Sequence, residues 1–253
     1  MMKAFSLEGH AALITGSSQG IGLALGQALH EAGAGVVCHG LSERPVEFPE
    51  WAGYVSCDLC DPSAPETLVN HAFKLKPGLD TLVCNAGSFF DVHPLDMTRE
   101  RWDKTMQLNV ASAFFTAQAF AKRLVAEKRG GSIVITSSTN GFQAEAESCA
   151  YDASKGALVM LTKSLAVSLA DYGIRVNGIA PGLIKTPLTA TWMESRDRSV
   201  LEHYEKKILL RRVGAPEDVA GAAVFLCSEA ASYITGEIIV IDGGLTTGQI
   251  GRR

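Results

Sequence analysis

Thr15-Gly16-Ser17-Ser18-Gln19-Gly20-Ile21-Gly22 stands between an apolar run, Ala11–Thr15, and a helical pattern that begins at Gly20. Glycines at these positions permit a tight turn and a close approach of backbone to ligand. Amide N–H groups can then face a pyrophosphate at the positive end of a helix. A glycine cluster alone is weak evidence, but its place between a first strand and a first helix makes this a phosphate cradle. The spacing is Gly-x-x-x-Gly-x-Gly, not the Gly-x-Gly-x-x-Gly of the larger dehydrogenases.

Outward from the cradle, apolar runs alternate with amphipathic helical patterns to the end of the chain, the mark of βαβ units around a parallel sheet. Strands are expected at Ala11–Thr15, Gly35–His39, Tyr54–Cys57, Thr81–Cys84, Ser132–Thr136, Arg175–Ile179 and Glu237–Ile241. Their continuous apolar character suits strands covered on both faces. Helices are expected near Gly20–Ala32, Pro65–Phe73, Arg99–Lys128, Tyr151–Tyr172 and Pro216–Ser228. The Pro-containing stretch Ser42–Trp51 is short for a crossover and predicts no helix there. Gly130 and Gly173 are placed to end helices in the left-handed conformation. The fold class is therefore α/β: one Rossmann-type doubly wound domain over residues 1–253, with seven mostly parallel strands. A substrate lid is expected at about 183–212.

Bulk properties narrow the partners. The 253 residues are 47% hydrophobic and 20% charged, and the formal net charge is -4. That offers no basic field for nucleic acid and no polybasic membrane anchor. Charge interrupts Met1–Glu8 before an apolar run develops, unlike a secretion signal, and Ala220–Cys227 is too short to span a bilayer. A soluble cytoplasmic protein is the expectation. The six cysteines form no disulfide framework. Cys57 and Cys60 have redox-motif spacing without a second pair for zinc, and no metal is expected.

The cradle resembles the nucleotide loop of the short-chain dehydrogenase/reductase family, in its compact branch of about 250 residues. The resemblance continues in order along the chain: Asn85-Ala86-Gly87, Asn109, Ser138, Tyr151-x-x-x-Lys155, Pro181-Gly182 with Thr186, and Asp242-Gly243-Gly244. It implies an NAD(P)(H)-dependent oxidoreductase interconverting a secondary alcohol and a ketone or aldehyde.

Tyr151 and Lys155 are four apart and share one face of a helix. A free phenol has a pKa of about 10, and a neighbouring ammonium lowers it toward the working range. By resemblance, Tyr151 is the general acid/base, Ser138 binds the substrate oxygen, Lys155 holds the nicotinamide ribose, and Asn109 binds a relay water. The resemblance also assigns cofactor contacts to Gly16, Ser18, Gln19, Gly20, Ile21, Gly22, His39, Asp58, Leu59, Asn85, Ala86, Gly87, Tyr151, Lys155, Pro181, Gly182, Ile184 and Thr186.

Cofactor choice rests on the end of the second strand. By the family resemblance, the position of the acidic residue that binds a ribose 2′-hydroxyl falls on Gly40, followed by Leu41. His39, Ser42 and Arg44 form either a phosphate pocket or an ordinary polar loop, so NAD(H) and NADP(H) both stand. The substrate wall is expected from Ser88–His93, Thr139–Glu147 and Leu183–Leu210, with Ser138, Gln143 and Tyr151 on the substrate. Candidates are a sugar, polyol, hydroxy acid or 3-oxoacyl compound. Cys149 is expected to pack. The family also implies a homotetramer built through the helices Arg99–Lys128 and Tyr151–Tyr172.

Two rivals share the fold. A catalytically silent nucleotide sensor has no need of a full Asn109, Ser138, Tyr151 and Lys155 set. An extended epimerase or dehydratase carries a larger C-terminal substrate domain than this length allows. A redox-active Cys57–Cys60 thiol protein is a more distant third.

Overall fold

The computed structural model describes residues 2–195 and 198–248. Seven strands form one sheet: β1 (Ala11–Ile14), β2 (Gly35–Gly40), β3 (Ala52–Ser56), β4 (Thr81–Cys84), β5 (Gly131–Thr136), β6 (Ile174–Pro181) and β7 (Ile238–Ile241). Their order across the sheet is β3-β2-β1-β4-β5-β6-β7, and every ladder is parallel. The order reverses between β1 and β4, so a crevice opens at the carboxyl ends of those strands.

Among the described residues, eight α-helices accompany the sheet: α1 (Gly20–Glu31), α2 (Ala64–Leu75), α3 (Arg99–Met106), α4 (Ser112–Ala126), α5 (Cys149–Leu169), α6 (Pro187–Ser195), α7 (Arg198–Lys207) and α8 (Pro216–Cys227). Two apolar layers result. One buries Leu68, Phe120, Leu124 and Leu158 under α2, α4 and α5. The other buries Leu25, Leu29, Val219 and Leu226 between α1, α8 and the sheet. Phe120 is completely buried, and truncating such a ring costs about 3–5 kcal/mol. None of the described helices is long and apolar enough to cross a membrane.

No helix links β2 to β3, as the prolines predicted. The expected helix Arg99–Lys128 is divided: Gln107–Ala111 forms a π-helical turn between α3 and α4. Such turns cost regular hydrogen bonding and often mark functional sites. Asn109 lies inside it. One expected cap is corrected. Gly173 is left-handed at φ 68°, but after α4 that conformation falls to Lys128, at φ 53°, rather than to Gly130. Gly130 serves close packing instead, since a Cβ there would lie 2.5 Å from the Gly173 carbonyl oxygen.

The stretch Thr186–Leu210 is mostly helical, through α6 and α7. Its base is pinned where Lys185 donates to Gly214 at 2.8 Å and Gly214 donates to Leu183 at 3.0 Å. The chain therefore leaves and rejoins the body at one point. Tyr204 of α7 donates a hydrogen bond to Glu145 in the loop after β5.

Candidate active site

The cradle is locked from below. Thr15 Oγ1 accepts from the amides of Asn85 at 2.9 Å and Ala86 at 3.0 Å. Asn85 Nδ2 donates to the carbonyls of Thr15 at 3.1 Å and Gly16 at 3.0 Å. Asn85, expected at the cofactor, thus spends its amide joining β4 to the cradle while still lining the cleft. Gly16 sits at φ +62°, and a Cβ on it would be 2.7 Å from Ala86 Cα; a Cβ on Gly22 would be 2.2 Å from the Gly16 oxygen. Any other residue there would break this packing.

The residues fit a dinucleotide. α1 starts at Gln19 without a side-chain cap, so the amides of its first turn stay available to an anion at the positive helix end. They face a cleft of about 360 Å³ that runs from Gly16, Gln19, Gly20, Ile21 and Gly22 past Ala86 and Gly87 to Ser138, Tyr151 and Lys155. Pro181, Gly182, Ile184 and Thr186 form its other wall. The start of α6 adds Pro187, Leu188 and Thr189, and the loop after β4 adds Ser88 and Phe89.

The catalytic helix is fixed by a residue the family motifs did not single out. Asp91 Oδ1 accepts from the amides of Ala150 at 2.9 Å and Tyr151 at 3.3 Å. The loop after β4 therefore caps α5, whose own N-cap residue Ser148 makes no side-chain cap. Asp152 adds a second tie, accepting from Asn140 Nδ2 at 2.7 Å and from the Glu145 amide at 2.9 Å. The period of the sequence could not show either tie, because each joins a loop to the start of α5 through tertiary contact.

Tyr151 meets Phe89 edge to face, with ring centroids 6.1 Å apart. Lys155 Nζ lies 5.4 Å from the centre of the Tyr151 ring and donates to the Thr136 carbonyl at 3.1 Å. The expected lowering of the phenol by this ammonium is corrected. Burial pushes Tyr151 up to about 12, the Ser138 hydroxyl offsets part of that rise, and Glu145, Asp152 and Asp91 add to it. Burial meanwhile pulls Lys155 down to about 8. Desolvation is the largest cause for both groups. Tyr151 therefore lines the cleft as a phenol raised by burial, beside the Ser138 hydroxyl.

Ser138 and Ser137 both line the cleft. Ser137 is committed to the Lys155 carbonyl at 2.8 Å, which leaves Ser138 as the hydroxyl beside Tyr151. Asn109 is fully buried. Its Oδ1 accepts from the Ser88 amide, and its Nδ2 donates to the Ser88 carbonyl and Ser154 Oγ, each at 2.9 Å. Both amide hydrogens are therefore committed to holding the β4 loop against α5.

Other expected contacts lie elsewhere. Leu59 is core. His39 is buried behind the cradle, and exposed Asp58 holds the Cys60 amide at 2.8 Å. Ser18 and half-buried Gln143 are not among the cleft-lining residues. Cys149, expected to pack, is exposed, and all six cysteines are free. Tyr54 explains the missing acid at the end of β2. A Cβ on Gly40 would fall 2.0 Å from the Tyr54 hydroxyl, so a phenol from β3 fills the place of that side chain. The Tyr54 hydroxyl donates to the Ser42 carbonyl at 3.1 Å.

Known proteins share this arrangement. A family profile described as Enoyl-(Acyl carrier protein) reductase matches residues 16–246. Dehydrogenase/reductase SDR family member 4 of Homo sapiens is 41% identical over 254 aligned residues, covering 94% of this chain and 88% of that protein. A short-chain type dehydrogenase/reductase from Mycobacterium marinum superposes with a TM-score of 0.91 at 36% identity, covering 98% of this chain and 99% of the other. A gluconate 5-dehydrogenase from Burkholderia cenocepacia, solved with NADP and tartrate, gives 0.88 at 32% identity, covering 97% and 98%. The likeness extends over nearly the whole chain, and the matched range 16–246 spans the residues of the cleft. This protein belongs to the short-chain dehydrogenase/reductase family, as an NAD(P)(H)-dependent oxidoreductase acting on a secondary alcohol or its carbonyl.

Proposed function

We propose that the enzyme works as a carbonyl reductase, with NADP(H) preferred and an uncharged ketone or aldehyde as substrate. The observation that supports this reading is geometric: the Tyr151 and Ser138 hydroxyls line one cleft with Lys155, and burial raises the phenol, which favours its proton-bearing form as a donor. Bound nicotinamide supplies the hydride. Tyr151 delivers the proton to the carbonyl oxygen, and Ser138 donates to that oxygen and orients it. Lys155 holds the nicotinamide ribose and provides positive charge beneath the phenol. Asn109 keeps the pocket floor in place through Ser88 and Ser154. The segment 183–212 closes over the substrate.

The cofactor preference is supported by the end of β2. No carboxylate stands there to repel a 2′-phosphate, because Tyr54 fills that position. The relative from Burkholderia cenocepacia was solved with NADP. The substrate polarity is supported by Asp91, Glu145 and Asp152, whose charges all raise the Tyr151 pKa. The same field disfavours a carboxylate substrate. Nicotinamide absorbance should be followed with NADPH and NADH across neutral ketones, aldehydes, sugars, hydroxy acids and 3-oxoacyl thioesters. The expected result is fastest turnover of a neutral carbonyl with NADPH. Preferential turnover of anionic hydroxy acids with NAD would overturn the reading.

The assembly we propose is a homotetramer. Its support is apolar surface on the long helices, including Phe115 of α4 and Met160 and Val167 of α5, the last 82% exposed. Single exposed apolar residues are ordinary, but several along adjoining helices mark a surface that is covered. Light scattering during gel filtration should give four times the chain mass of 26.9 kDa. A monomer at micromolar concentration would refute the assembly.

A further inference from the structure

His39 stands at the carboxyl end of β2, 3% exposed, with both ring nitrogens in use. Nδ1 accepts from the Gly16 amide at 3.0 Å, and Nε2 lies 3.1 Å from the Cys57 carbonyl oxygen. A backbone amide only donates and a carbonyl only accepts. The two contacts together therefore fix one species, the neutral ring with its proton on Nε2. The backbone of His39 is knitted in as well: its amide donates to Ser17 Oγ at 2.9 Å, and its carbonyl accepts from the Ser17 amide at 2.7 Å. The imidazole thus spans three pieces of the nucleotide site: the cradle, the end of β2 and the exit of β3.

The cradle has no slack with which to absorb a change at this ring. Gly16 is left-handed at φ +62°, and its Cα is packed so that even a Cβ would strike Ala86. We propose that His39 is a positioning residue for the dinucleotide: its neutral ring holds the Gly16 amide, and proton uptake by the ring releases the cradle and lowers cofactor affinity. A proton on Nδ1 would set two donors against each other across a buried contact, which leaves the Gly16 amide without a partner. The inference rests on the dinucleotide reading of the cleft.

The groups facing the ring set the direction of titration. Burial lowers the His39 pKa below the usual imidazole value, while the Cys57 carbonyl and the Asp58 carboxylate beyond β3 pull it back up. The Cys57 thiol, pushed up to about 11, stays neutral. On its own strand, the Cys38 thiol is raised by burial, against Ser17 and Arg44, and is also neutral. The loop after β1 presents only the uncharged Ser17 and Gly16. Affinity is therefore full at neutral pH and is lost as pH falls through the lowered His39 value.

The test is equilibrium binding of NADPH and NADH, read by nicotinamide fluorescence from neutral pH down to the acid limit at which circular dichroism shows the fold intact. NADH lacks the 2′-phosphate, so its curve is free of that group's own titration. Wild type should lose about ten-fold or more in affinity toward acid. His39→Asn puts an amide oxygen where Nδ1 stands, and should bind within about three-fold of wild type at neutral pH with a flat profile. His39→Gln places its oxygen near Nε2 instead, and should be weaker at every pH, as should His39→Leu. Circular dichroism checks that each variant is folded. A flat wild-type profile, or Gln binding as tightly as Asn, would overturn the proposal. Absence of wild-type binding at any pH would instead remove the dinucleotide reading beneath it.

Discussion

Tyr151→Phe should still bind nucleotide with wild-type affinity while carbonyl reduction falls by roughly a hundred- to ten-thousand-fold. The substitution removes one oxygen and keeps the ring that packs edge to face on Phe89. The Asp91 cap on α5 is made by backbone amides, so the helix start should not move. What disappears is the proton donor. Ser138 can still bind the carbonyl oxygen, but a serine hydroxyl is a much poorer acid. Single-turnover reduction measured beside nicotinamide fluorescence separates the two effects. Retention of more than a tenth of the wild-type rate would remove Tyr151 from the acid role.

Lys155→Met should damage binding and turnover together, and change the pH profile. The lysine is buried and its pKa is pulled down to about 8 from 10.5. Below about 8 it is charged, and it steadies the negative charge that develops on the Tyr151 oxygen as its proton leaves. Reduction should therefore be full below that value and fall as pH rises through it, long before the phenol itself ionises at about 12. In Lys155→Met that limb should vanish, with kcat reduced at least about a hundred-fold and KM for the nucleotide raised.

Stability should move the other way. Because the folded pKa of Lys155 lies below the unfolded one, burying its charge destabilises the fold fully below about 8, and this penalty fades as pH climbs toward 10.5. Removing the lysine removes the penalty, so the melting temperature at neutral pH should rise. An unchanged pH profile in this variant, or a lower melting temperature, would contradict the account. The site gives up stability to hold a charge where the chemistry needs it.

Much of this was legible in the chain itself. Parallel strands buried on both faces must read as continuous apolar runs, so β1, β2, β4, β5 and β6 could be placed to within a residue or two. The cradle was legible because only glycine tolerates Gly16 beside Ala86 and Gly22 beside the Gly16 carbonyl. Tyr151 and Lys155 were legible because four residues of helix fix two side chains on one face. These are local constraints, and local sequence states them.

Tertiary structure decided everything that depends on what lies opposite. The sign of the Tyr151 shift turned on burial, which no spacing reveals, and ran against the lowering expected from Lys155. Asp91 became the cap of α5 only because the loop after β4 crosses its start. Lys128 took the left-handed cap because Gly130 had to lie against Gly173. Tyr54 closed the place of the missing acid at Gly40, and His39 turned inward to the Gly16 amide instead of out to a phosphate. Each pairs residues from segments that only folding brings together. A single sequence records the partners' identities but not their distance, and distance and burial set the charge state, the tautomer and the cap.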